Sequence, residues 1–169
     1  MILSSINKQL GKSMFKNISI IIGTVIAGIA SSFVYAQSST ETKLFCNNAD
    51  SRLNALVENQ IPPEQSANSI DQITDYSTNY NENNDLCTVN IEYEIHSGLF
   101  SEQLIDTQGN GINSEEKAVS FVNKNKDVLK RSLSKQSEQF KPTPNYNAIV
   151  SINYTFNNDK YPDISFTYD

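Results

Sequence analysis

The clearest pattern along the chain is strict alternation. In LCTVNIEYEI, residues 86–95, the side chains Cys87, Val89, Ile91, Tyr93 and Ile95 fall on one side, with Thr88, Asn90, Glu92 and Glu94 on the other. A period of two predicts a half-buried strand whose apolar residues, Cys87 among them, point into a core. NENND just before it has turn composition. IDQITDYSTNY, residues 70–80, is β-prone without a clean apolar face and predicts an edge strand. The alternation returns near the C-terminus, where Ala148, Val150, Ile152, Tyr154 and Phe156 share a face and DISFTYD follows across NNDKYP as a second hairpin.

Two stretches change period. DSRLNALVENQIPP, residues 50–63, sets Leu53, Leu56, Val57 and Ile61 at helical spacing, with Asp50 placed to cap the start and Pro62 to stop it. NSEEKAVSFVNKNKDVLKRSLSKQSEQ, residues 113–139, sets Ala118, Phe121, Val122, Leu129 and Leu133 in an apolar stripe. Asn113 with Glu116 three residues on makes a capping box, Glu115 and Glu116 suit the positive end of the helix dipole, and Lys130, Arg131 and Lys135 suit the negative end. KPTP then ends the helix. The order is helix, hairpin, helix, hairpin. Each helix is followed by a proline-bearing connector and each hairpin turn contains NND, which hints at an αββ duplication. The expectation is a small single α+β domain, an antiparallel sheet of about four strands with two helices packed on one face, in αββ-αββ order.

The N-terminus reads differently. NISIIIGTVIAGIASSFVYA, residues 17–36, follows a leader that carries Lys8, Lys12 and Lys16 and no acidic residue. A positive region before an apolar run that ends in Val34-Tyr35-Ala36 predicts a signal peptide over 1–36, cleaved before Gln37. Met14 opens a leader of ordinary length, and either start gives the same mature chain. The alternative is a retained anchor, because Ile18 to Ala36 approaches the roughly 20 residues that span a bilayer. Residues 37–169 then form a single exported domain, periplasmic or secreted, long enough to bury a core.

Charge and cysteines narrow the partners. The whole chain carries a net −6, and without its leader ten basic side chains face 19 acidic ones, a net −9. Such a balance excludes nucleic-acid coating and predicts repulsion from an anionic membrane surface. Cys46 and Cys87, 41 positions apart in an exported chain, predict a disulfide that ties the segment before the first helix to the strand at 86–95. Two thiols and a lone histidine offer no metal site. GxSxG, a phosphate loop and HExxH are all missing, so no cofactor is expected.

Three candidate chemistries remain. His96, at the end of a strand, with Glu92 and Glu94 on one outward face, would suit a hydrolase or small-ligand pocket if the three converge in a cleft. DTQGNGINSEEK, residues 106–117, resembles an EF-hand loop in Asp106, Asn110 and Gly111, but Gln108 stands at a ligand position and Lys117 where the bidentate glutamate belongs. The two cysteines about forty apart and a C-terminal strand with penultimate Tyr168 resemble a chaperone-usher pilin subunit, from which the charged helix departs. The Asn153-Tyr154-Thr155 sequon matters only in a eukaryotic host.

Charge placement carries more weight. Residues 41–116 hold two basic side chains, Lys43 and Arg52, against 14 acidic ones, whereas 117–141 hold seven basic and two acidic. Lys117, Lys124 and Arg131 recur every seven residues with Lys135 one turn on, a basic stripe beside the apolar face. The leading expectation is a non-enzymatic binding or inhibitor-like module for an acidic protein partner. The contact surface would be that stripe or the aromatic hairpins bearing Tyr76, Tyr80, Tyr93, Tyr154, Tyr161, Phe166 and Tyr168.

Overall fold

The computed structural model describes residues 39–65, 70–108 and 111–169. The leader at 1–36 lies outside the described residues. Helix α1, Ser39–Asn59, precedes strands β1, Asp71–Asn81, and β2, Leu86–Ile95. Helices α2, Ser97–Gln108, α3, Glu115–Lys124, and α4, Lys126–Gln136, come next, followed by β3, Ala148–Phe156, and β4, Ile164–Tyr168. The strands form one sheet in the order β1-β2-β3-β4. No helix among the described residues is long and apolar enough to cross a membrane.

The α+β class and the four strands are as expected, but the sheet is mixed. Each hairpin is antiparallel, and β2 pairs with β3 in parallel, from Cys87 opposite Ala148 to Ile95 opposite Phe156. Residues 96–147 between them include three helices, enough chain to return to the starting end of the sheet, which parallel pairing requires. This also separates the two hairpins structurally. A duplication would equate β1 with β3, yet β1 lies at an edge and β3 in the centre.

Among the described residues four α-helices stand where two were expected, all on one face. That face carries Cys87, Val89, Ile91, Tyr93 and Ile95 from β2 and Ala148, Val150, Ile152, Tyr154 and Phe156 from β3, all buried. The first helix begins eleven residues before Asp50 because its stripe continues upstream: Thr42, Cys46 and Leu53 are buried, and Phe45, Ala49, Leu56 and Val57 pack beside them. Asp50 therefore caps nothing and instead accepts a hydrogen bond from the Thr78 hydroxyl at 2.8 Å. The residues Leu99 to Ile105 belong to α2, whose Phe100 meets Phe156 edge-on with ring centroids 5.3 Å apart.

The long helix expected over 113–139 is two helices. Asn125 leaves helical geometry at φ −116° and ψ 22°, and its side-chain amide donates to the Phe121 carbonyl at 2.8 Å. An asparagine that bonds nearby backbone offers the chain an alternative to the helical ladder. Ala118 and Val122 before the break and Leu129 and Leu133 after it keep one phase and all stay buried. The cap is Ser114 rather than Asn113: Ser114 is extended, and its hydroxyl accepts from the Lys117 amide at 3.4 Å. Ile112, buried two residues earlier, anchors the approach and leaves the last extended position at Ser114.

Cys46 and Cys87 form a disulfide between positions within α1 and β2, Cα atoms 5.6 Å apart, rather than from a segment ahead of the helix. Both residues are buried in the layer between helix and sheet. Elsewhere in the core Tyr93 stacks on Tyr154, centroids 4.7 Å apart, and the Tyr154 hydroxyl meets Ser137 Oγ at 2.9 Å.

Replacing both cysteines, Cys46→Ala with Cys87→Ala, is expected to lose about 4 kcal/mol in urea unfolding, since the bridge restrains a loop of about forty residues in the unfolded chain. A loss below about 1 kcal/mol would show that packing alone holds α1. Burial also raises the Tyr93 phenol well above its ordinary 10.0 and does the same to Tyr154, where the Ser137 hydrogen bond opposes the shift. The fold thus holds both protons more tightly than the unfolded chain does. Stability is complete below about pH 10 and falls as the pH rises past it. Tyr93→Phe should flatten that alkaline decline, and an unchanged slope of melting temperature against pH would show that Tyr93 does not contribute.

Candidate functional site

The four cations Lys117, Lys124, Arg131 and Lys135 are all exposed. They lie on two helices, with the Asn125 break between Lys124 and Arg131. Lys126 and Lys130 on α4 are exposed as well. None of these six makes an ion pair with a described residue. Arg131 Nε donates only to the Asp127 carbonyl of its own helix, at 3.2 Å. By contrast Lys43, in the acidic part of the chain, pairs with Glu82 at 2.9 Å. The α3–α4 surface therefore carries a net positive charge, six cations against Glu115, Glu116 and Asp127, on an otherwise acidic molecule.

The pocket residues take separate jobs. Glu92 accepts from the Asn153 amide at 2.8 Å and Glu94 from Gln72 at 3.4 Å, both on the open face of the sheet. His96 Nδ1 accepts the Leu99 backbone amide at 3.3 Å, while Asn157 accepts that of Ser97 at 2.9 Å. Two of the free amides at the start of α2 are thus satisfied by side chains. Gly98 leaves room for this imidazole, because a Cβ there would lie 3.3 Å from it.

The other sequence candidates settle elsewhere. Asp106 lies in the last turn of α2 and Glu116 in the first turn of α3, and Asn110 falls outside the described residues. Tyr93, Tyr154 and Tyr161 are buried, and Tyr76, Tyr80, Phe166 and Tyr168 pack against the core. The hairpin aromatics are chiefly interior, so the basic helices are the more available surface.

What sequence reasoning missed is the shape of the sheet margin. The open face carries a shallow groove of about 480 Å³, lined by Asn90, Glu92, Ser151, Asn153, Ser165 and Thr167, with Lys130 reaching it from α4. The Tyr168 hydroxyl donates to the Ser134 carbonyl and so ties α4 to β4. Lys130 sits one turn back from Ser134 on the same side of the helix. That i, i+4 spacing was visible in the sequence. The neighbouring strand was not.

Backbone register decides what each sheet edge offers. Cys87 donates to the Asn147 carbonyl and Asn157 to that of Ile95, so odd-numbered β2 residues turn their amides to β3 and even-numbered β3 residues turn theirs to β4. Ser165 and Thr167 of β4 then direct N–H and C=O outward. On β1 the outward residues include Ile73 and Tyr76, and both are covered. Gln60 donates to the Ile73 carbonyl at 2.8 Å and accepts its amide at 2.9 Å, and Asp75 Oδ1 accepts the Tyr76 amide at 2.8 Å. A bulge between Ile73 and Asp75 disrupts the ladder further. At Ile73 and Tyr76 the β1 margin is blunted in the manner of protected edges, whereas no described residue hydrogen-bonds the outward backbone of Ser165 or Thr167.

Gln60→Ala removes both hydrogen bonds to Ile73 and is expected to lose about 1–2 kcal/mol in urea unfolding. Gln60→Glu, which keeps an acceptor and loses the donor, should fall between, and equal stability of all three would show that the amide contributes nothing there. Among known proteins, no family, no curated sequence and no solved structure matches this chain.

Proposed function

We propose that the protein is a non-enzymatic binding module, exported by its leader, that docks on an acidic surface of a protein partner through α3 and α4. The observation that carries this reading is the set of six exposed cations without an ion pair to any described residue, in a chain whose residues 41–116 are strongly acidic. A charge left uncompensated on a helix face contributes little to the fold and acts over a Debye length of roughly 8–10 Å, where it steers association. Export draws support from the buried disulfide, a bond that persists in oxidising compartments. The inward-turned tyrosines favour electrostatic over aromatic recognition.

The test is affinity capture at low and high salt with the wild-type protein and the double variant Lys124→Glu, Arg131→Glu. Both positions are exposed, so the variant should melt within about 2 °C of wild type. It should retain less than about a tenth of a partner that wild type holds at low salt and releases at high salt. A partner captured equally by both proteins at both salt concentrations would remove the basic helices from the interface.

A further inference from the structure

The free margin of β4 and the cations of α4 lie side by side, and their combination goes beyond a charged patch. Ser165 and Thr167 are exposed and direct two amides and two carbonyls away from the sheet. Tyr168 is joined to Ser134 on α4. Four residues back along α4, about 6 Å, stands Lys130. Two residues back along β4, about 6.8 Å, stands Phe166. Lys130 lines the groove with Ser165, Phe166 and Thr167, which brings its side chain beside the middle of the β4 margin. Lys126 lies one further turn back in the same column.

We propose that the partner contributes an extended acidic segment that adds to the sheet as a fifth strand beside β4. Its backbone pairs with Ser165 and Thr167, and its carboxylates face Lys130 and Lys126. This rests on the reading of α3–α4 as the docking surface and specifies how the partner is held. Main-chain pairing supplies affinity and alternate side chains supply selectivity in strand addition. Asp163 and Asp169 at the two ends of β4 repel acidic groups there and so confine the ligand's carboxylates to the middle. Glu92, two strands inward, has its Oε2 taken by Asn153.

A second copy of the chain is the competing occupant. Two β4 strands can pair about a two-fold axis with Ser165 opposite Thr167, which sets Phe166 against Phe166. The same axis brings two Lys130 side chains together, and like charges directly opposed are destabilising. An acidic strand turns that repulsion into attraction.

The experiment is calorimetric titration of the purified, disulfide-bonded protein with a synthetic peptide of about ten residues alternating glutamate and threonine. Two further peptides are N-methylated at every second amide, one in each register. Strand addition requires one register to lose at least about tenfold in affinity and the other to be spared, because only one set of amides faces β4. Thr167→Pro should cost a similar factor, since it removes an outward N–H and leaves the pairing to β3 in place. If that variant melts early, the methylated peptides against wild type decide alone. Equal binding in both registers overturns the fifth strand. Loss on Lys124→Glu with Arg131→Glu but not on Thr167→Pro also overturns it, while leaving the basic docking surface standing. No binding of the parent peptide at millimolar concentration, or a dimer in sedimentation that Thr167→Pro abolishes, overturns the acidic segment as occupant.

Discussion

A parallel pair at the centre of a four-stranded sheet cannot be closed by a tight turn, and the pairing of β2 with β3 shapes this molecule accordingly. The chain leaves the end of β2 at Ile95 and must return to Ala148 at the opposite end, and it spends that distance on three helices. Those helices have one place to go, over the apolar face that Val89, Ile91, Val150 and Ile152 present. The same pairing sends β1 and β4 to the two margins and sets which backbone groups each margin shows. Gln60 and the bulge at Ile73/Asp75 matter only because β1 is outermost.

The central pair also sorts charge. Helix α1 packs over β1 and β2, in the acidic part of the chain, and α4 lies against β4 and carries Lys126, Lys130, Arg131 and Lys135. The polarity of the sequence becomes a polarity across the sheet. The interior does not depend on it: stacked Tyr93 and Tyr154, with Ser137 closing the phenol's hydrogen bond, and Phe100 against Phe156 hold the layers together without ionised groups. Surface charge is therefore free to vary with the partner while packing is left alone.

Much of this was legible beforehand for a physical reason. Faces of strands follow from alternation, so the inward residues of β2 and β3 could be read directly. Direction could not, since parallel and antiparallel neighbours bury the same alternation. The start of α1 was hidden because Thr42, Cys46 and Ala49 are small or polar and do not advertise a stripe, and the expected element order had no helix between the strand at 86–95 and residue 113. The basic side chains could be located by counting, but their nearness to a sheet edge is a property of register, which exists only once two distant segments have met.

The disulfide joins α1 to β2 within the first half of the described chain and needs no residue of β3. Until β3 arrives β2 is itself an outermost strand, with the amides of Cys87 to Ile95 unclaimed along one side. Such an edge is a template for wrong partners in an incompletely folded chain. A covalent tie between α1 and Cys87 holds the helix over the apolar face of that unfinished strand. Its restraint on α1 and β2 therefore applies to partly folded forms of the oxidised chain as well as to the completed fold.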